Sequence, residues 1–264
     1  MNICLFKSDE IGKPLSIRDP RGQHLLKILH KKEGDSFSAG IIGGSSGKAV
    51  ITRIETREVT SPDGRKSFCN GDIYFTFTPE GDGKPLYPLI MIIGFPRPIQ
   101  LKRLLRDMAG LGVKEIHLTA TELGEKSYLK SDLSSPEACY DMLYEGTVQA
   151  CSTHIPKIFM HESLRDCINC VKTSYPDAHL MALDNVGSTQ GLTQFVHDKI
   201  SSESIKDKPC IAAVGSERGW TQNERELLTF NGYIRLSMGQ RVLRTETACT
   251  VGASLILSAM GYLD

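Results

Sequence analysis

No run of apolar residues in this 264-residue chain approaches the roughly 20 that a membrane-spanning helix needs. Its start, Met1-Asn-Ile-Cys-Leu-Phe-Lys7, lacks the charged opening and long apolar stretch of a secretory signal. Together these absences predict a cytoplasmic protein with no membrane partner. Aromatic residues make up only 7% of the chain and charged residues 23%, a balance that fits a globular protein and excludes disorder and collagen-like repeats. There is no internal repeat and no low-complexity tract. Net charge is absent too, since 31 Lys and Arg offset 31 Asp and Glu. That zero hides an asymmetry: residues 1–70 carry 12 basic against 8 acidic groups and residues 97–130 carry 7 against 4, while residues 131–209 carry 6 against 11. The basic stretches leave room for a polyanionic partner.

Cysteine is not scarce, but its pattern is uninformative. Eight cysteines are scattered along a chain of ordinary size, which predicts reduced thiols. Cys167-Ile-Asn-Cys170, with Cys151, His154 and His161 upstream, comes nearest to a metal motif. It has no second matching pair and both cysteines sit in a helical pattern, so core thiols and no metal are expected.

The first seventy or so residues alternate short apolar runs with turn signals, at Leu15–Ile17, Ser36–Ala39, Ala49–Ile54 and Ile73–Phe77. That spacing predicts a small β-rich domain over residues 1–77. Asp19 and Pro20 can start a helix, with Leu25, Leu26, Ile28 and Leu29 as its apolar stripe and Gly34 as its end. Gly and Pro crowd residues 78–87, which predicts a linker or hairpin excursion. From residue 88 to 264 strand and helix patterns alternate. Strands are expected at Leu89–Ile93, Glu115–Leu118, His179–Leu183, Cys210–Val214 and Tyr233–Leu236, and helices at 101–110, 135–151 and 246–260. Such alternation gives an α/β domain with a mostly parallel sheet.

Two glycine-bearing turns stand out, Gly215-Ser-Glu-Arg-Gly219 and Met238-Gly239-Gln240, each after an apolar strand pattern and before a helical one. Strand-to-helix turns at the carboxyl ends of an open sheet are where such folds bind small molecules. The first turn has neither the Walker spacing nor the Gly-x-Gly-x-x-Gly fingerprint, and no Lys for phosphates, so it offers backbone groups rather than a phosphate cradle. Thr221 and Glu224 form a capping box behind it. The bland reading of these glycines is a pair of turns that need positive φ. Beside the second turn, Arg241-Val-Leu-Arg244-Thr-Glu246-Thr247 places two arginines before a helix start. Cations there oppose the helix dipole unless they meet an anion, whereas Glu246 suits it as a first-turn acid. Trp220 is expected to pack beneath the turn.

In the order VGSERGWTQNE then MGQRVLRTETA, these residues resemble the signature of RsmE-type SPOUT methyltransferases, which methylate N3 of a uridine in small-subunit (16S) ribosomal RNA using S-adenosylmethionine. Gln23–Asp35, Leu111–Ile116 and Glu145–Gln149 with Ile155-Pro156 extend the resemblance along the chain. It implies a C-terminal SPOUT α/β domain with a deep trefoil knot, a preceding PUA-like β-barrel, and a homodimer. By position it implies a cofactor site at Leu183, Val214, Gly215, Glu217, Gly219, Ser237, Met238, Gly239, Val242, Leu243 and Thr245. Arg241, Arg244 and Glu246 would form the catalytic neighbourhood, and His24, Lys27, His30, Lys31 and Lys32 would contact RNA. The pattern departs from the family's at Ser216, Arg218, Val148 and Ser152. Two alternatives stand beside this reading: a SPOUT methyltransferase with another RNA target, and a non-catalytic RNA-binding protein that kept the fold.

Overall fold

The computed structural model describes residues 2–60, 67–125, 127–128, 131–199 and 208–263. It divides into two units: Met1–Pro85 with Thr147–Ile155, and Leu86–Gly146 with Pro156–Asp264.

The first unit holds a five-stranded sheet. Its strands are β1 (Cys4–Phe6), β2 (Leu15–Ser16), β3 (Ser36–Ile41), β4 (Ser46–Thr60) and β5 (Ser67–Gly81), in the order β1-β3-β4-β5-β2. Only β1 and β3 run parallel. Period-two alternation puts Phe37, Ala39, Ala49, Ile51, Ile73 and Phe75 on the buried face with Phe6, Leu15 and Leu25. β1 was absent from the sequence reading. Residues 78–81, expected in a linker, are instead the end of β5 and pair with β4 as far as Gly81 opposite Ser46. Residues 147–155 join this unit through Ser152 and Thr153: the Ser152 hydroxyl bonds the carbonyl of Lys84 at 3.0 Å, and Gly43 N–H donates to the carbonyl of Thr153 at 2.8 Å.

The helix expected after Asp19 begins there but is short. Asp19 caps α1 (Pro20–Gln23) by accepting from Arg21 N–H, and a single π-helical turn follows over His24–Ile28. The wider turn rotates the apolar stripe away from the core. Leu25 is buried, whereas Ile28 and Leu29 are exposed, which corrects the four-residue stripe. Arg21 fixes this element: its Nη2 lies 2.7 Å from Glu10 Oε1 and 2.8 Å from Asp19 Oδ2. The Arg21 guanidinium, through hydrogen bonds to both, holds the Glu10 and Asp19 carboxyls below their usual range. Depressed folded values mean that this stabilisation is full above the unfolded carboxylate range of about 4 and is lost as pH falls below it. Amide protection factors in β3–β5 should therefore fall below about pH 4, and Arg21→Ala should flatten that dependence.

The second unit is a seven-stranded sheet with every pair parallel, in the order β10-β12-β9-β11-β6-β7-β8. The strands are β6 (Tyr87–Gly94), β7 (Val113–Thr119), β8 (Lys157–His161), β9 (His179–Leu183), β10 (Gln190–Gly191), β11 (Cys210–Val214) and β12 (Ile234–Ser237). Helices α2 (Pro98–Gly110), α3 (Pro136–Gln149), α4 (Leu164–Ser174), α5 (Leu192–Lys199), α6 (Gln222–Phe230) and α7 (Thr245–Ala259) connect or follow them. β6 and β11 are nearly continuous apolar runs because helices cover the parallel sheet. β8 and β10 were not read from sequence. The chain builds β6, β7 and β8 outward, returns across the sheet to lay down β9, and later inserts β11 between β9 and β6. That reversal brings the carboxyl ends of β9, β11 and β12 side by side.

Candidate functional site

Three loops leave those adjacent strand ends: Asp184–Val186 after β9, Gly215–Trp220 after β11 and Met238–Arg244 after β12. Together they line a cavity of about 260 Å³, just below the roughly 300–1,000 Å³ usual for small-molecule sites. Leu183, Val214, Met238, Val242, Leu243 and Ala248 make its apolar wall.

The first glycine turn closes on itself. Gly219 N–H donates to the Ser216 carbonyl at 2.8 Å and Gly219 sits at φ 70°. A Cβ on Gly215 would lie 2.8 Å from Gly219 backbone atoms, so only glycine fits there without moving the turn. Ser216 is buried, and its hydroxyl accepts from Thr121 at 3.2 Å. Glu217 is exposed, and its carboxylate accepts from Arg97 N–H, the cap of α2, at 2.7 Å. It therefore anchors the loop. Arg218 is exposed and Trp220 is buried in the core with Ile90, Ile92 and Cys167, as expected of a packing residue. The capping box forms: Thr221 Oγ1 accepts from Glu224 N–H and Glu224 accepts from Thr221 N–H at 2.8 Å.

The second turn is held by Ser237, whose hydroxyl accepts from Gly239 N–H at 3.1 Å, with Gly239 at φ 110°. Asn185 donates to the Arg241 carbonyl at 3.1 Å and ties this loop to the one after β9. Arg244 is the N-cap residue of α7, is exposed, and its side chain makes no capping bond. Arg241 is exposed as well, and Val242 is 91% exposed at the cavity rim. Thr245 and Glu246 turn inward, and the Thr245 hydroxyl reaches the Gly215 carbonyl at 3.5 Å. Further along α7, Gly252 packs against the Leu183 side chain, which an added Cβ would push aside. Burial, then the Glu246 carboxylate, push the Cys249 thiol up, so it is inert at neutral pH.

Of the eleven expected cofactor residues, Leu183, Val214, Gly215, Glu217, Gly219, Met238, Val242, Leu243 and Thr245 line the cavity. Ser237 and Gly239 shape the turn behind it. Asp184 and Arg225 also line it and were missed. They form an ion pair at 2.6 Å, with side chains 8% and 14% exposed, and Asp184 Oδ1 accepts from Val186 N–H at 3.0 Å. Because the partners lie 41 positions apart, no local signal marks them.

A larger cavity, about 360 Å³, lies at the carboxyl ends of β6, β7 and β8. Glu122, Glu125, Glu162 and Glu224 line it with Arg165 as counter-charge. Glu224 and Glu122 are already engaged, since Glu224 accepts from Glu122 N–H at 2.9 Å and Thr221 donates to Glu122 at 2.6 Å. The smaller cavity is the better candidate because glycine turns and the sheet reversal converge there.

In the first unit, His24 and Lys27 border a shallow depression with Pro20, Gln23 and Ile28. Lys27, His30 and Lys32 are exposed, Lys31 is half-buried, and His30 takes φ 51° as the chain leaves the π turn. The Cys167-x-x-Cys170 pair splits: Cys167 is in the core, as expected, but Cys170 is exposed, because the two sit on different faces of α4. Seven of the eight cysteines form no disulfide, and the side chain of Cys69 lies outside the described residues.

A model of the RNA methyltransferase domain family matches residues 83–257. Ribosomal RNA small subunit methyltransferase E of Treponema pallidum is 36% identical over 98% of this chain and 91% of its own length. Ribosomal RNA small subunit methyltransferase E 1 of Borreliella burgdorferi is 30% identical over 98% of each. A crystal structure of a ribosomal RNA small subunit methyltransferase E from Neisseria gonorrhoeae, bound to S-adenosyl methionine, shares the fold with TM-score 0.69 at 16% identity, covering 98% of this chain and 97% of that one. With its all-parallel sheet and paired glycine turns, the chain belongs to the RNA methyltransferase family, in its ribosomal RNA small subunit methyltransferase E branch.

Proposed function

We propose that this protein methylates N3 of a uridine in small-subunit ribosomal RNA with S-adenosylmethionine as donor. The observation that carries the reading is the cavity where the two glycine turns meet, lined by nine of the residues that the motif order assigns to the cofactor. Its apolar wall and backbone-rich loops suit a nucleoside with an aliphatic tail, and a related enzyme was crystallised with that donor. The sulfonium supplies an already activated methyl group. What remains for the protein is to hold the acceptor in line and help N3 lose its proton. Arg244, exposed at the start of α7, orients the uridine and stabilises the developing anion, with Arg241 beside it. Glu246, buried two residues on, takes the proton or positions the group that does.

Lys27, His30, Lys31 and Lys32, with His24, supply phosphate contacts that weaken with salt. The proposal includes the family's trefoil knot, a cytoplasmic setting and a homodimer, and the exposed Val242 at the cavity rim suits burial by a second copy. Ribosomal RNA from cells lacking the gene should lose N3-methyluridine by mass spectrometry, and calorimetry should show the protein binding S-adenosylmethionine. Loss of a different methylated nucleoside would instead indicate another RNA target. An unchanged modification profile with no donor binding would point to a non-catalytic RNA-binding protein.

A further inference from the structure

We propose that His117, His161 and Cys170 form a binding site for a divalent metal ion of the zinc class at the open edge of the second unit's sheet. His117 lies on β7, His161 ends the edge strand β8, and Cys170 is on α4. One ligand atom from each falls within 4.8 Å of the other two. His117 Nδ1 and His161 Nε2 face each other at 2.9 Å, with the rings stacked 5.1 Å apart. In a tetrahedral zinc centre two imidazole nitrogens stand roughly 3.3 Å apart and a nitrogen and a thiolate sulfur roughly 3.6 Å. The imidazoles need to part by only a few tenths of an ångström, and Cys170 sits on an exposed helical face where its side chain can turn inward.

The surroundings resemble the support that metal-bound histidines use. His117 is 2% exposed, and its second nitrogen, Nε2, lies 3.4 Å from the Glu115 carboxylate, which only accepts. Nε2 therefore carries the proton, and Nδ1 accepts from the Nε2–H of His161; a metal ion would take the place of that hydrogen, with His161 then holding its proton on Nδ1. A carboxylate that orients a histidine through its remote N–H is a recurring outer element of zinc sites. Phe159 stacks on His117 at 4.7 Å and limits the freedom of the ring.

Three protein ligands leave one position for water on the solvent side. An ion there would tie α4 to the two outermost strands. It would also fix the turn after His161, where Glu162, Ser163 and Arg165 line the larger cavity. The site is independent of the methyl-transfer reading.

Titrating untagged, reduced, metal-free full-length protein with Co²⁺ tests it. The visible bands of tetrahedral cobalt and a thiolate-to-cobalt band should saturate at one ion per chain and vanish when Zn²⁺ displaces the probe. Cys170→Ser should remove the thiolate band. His161→Ala changes a half-buried residue, and Glu115→Gln keeps the shape; each should weaken binding about 10–100-fold. No tetrahedral spectrum with wild-type protein, or a spectrum unchanged in both C170S and H161A, would overturn the assignment.

Discussion

Replacing Arg244 by alanine is expected to slow methyl transfer about 10²–10³-fold, the usual cost of removing one preorganised group that stabilises developing charge. The argument starts from what Arg244 does not do for the fold. It caps α7 with its backbone alone, its side chain makes no capping bond, and it is exposed. A guanidinium at a helix N-terminus opposes the dipole, so its removal should leave stability within about 0.5 kcal/mol or raise it slightly. Affinity for S-adenosylmethionine should also hold, because the apolar wall and the glycine turns are untouched. The expected signature is a fall in kcat with unchanged donor affinity and an unchanged melting temperature. Arg244→Lys should recover only part of the rate, since an ammonium keeps the charge but loses the planar fork. A wild-type rate in R244A would remove this arginine from the chemistry and shift the burden to Arg241.

The elements that sequence made legible are those with a strong local cause. Alternation marks β3, β4 and β5, continuous apolar runs mark β6, β9 and β11, and the Thr221–Glu224 box marks the start of α6. The glycine turns were legible because a missing Cβ is required twice, at Gly215, where a Cβ would lie 2.8 Å from the Gly219 backbone, and by positive φ at Gly219. What was not legible has non-local causes. β8 is an edge strand with a mixed surface, Lys-Ile-Phe-Met-His, and has no alternation to read. β11 lies between β9 and β6 because of the path of the chain, which composition does not record. The π turn at His24–Ile28 broke the helical period, so Ile28 and Leu29 looked like core and are not. His117, His161 and Cys170 come from two strands and a helix, and no motif spacing joins them.

The Asp184–Arg225 pair shows how much such a hidden contact is worth. Asp184→Ala should destabilise the protein by about 3–5 kcal/mol, because it strands a guanidinium that is 14% exposed with no partner for its charge. Arg225 rises from α6, and Asp184 follows β9, with its own N–H bonded to the Leu236 carbonyl of β12 at 3.0 Å. Asp184 Oδ1 also forms the turn at Val186, so the substitution loosens the loop as well as the ion pair. Arg225→Met should cost a similar amount by leaving the carboxylate buried alone. The double change Asp184→Leu with Arg225→Met should cost much less than the sum, since apolar residues of similar size can replace a buried pair at little cost. Urea unfolding of the wild type, Asp184→Leu, Arg225→Met and the double variant gives the coupling directly. If the single changes add and each costs under about 1 kcal/mol, the pair behaves as a surface contact. Both residues line the cavity, so the same variants also report on binding. Protection against heat by S-adenosylmethionine should fall in each single variant and stay low in the double variant, where stability returns but the Val186 turn does not. Stability and donor binding would then separate at a single pair of residues.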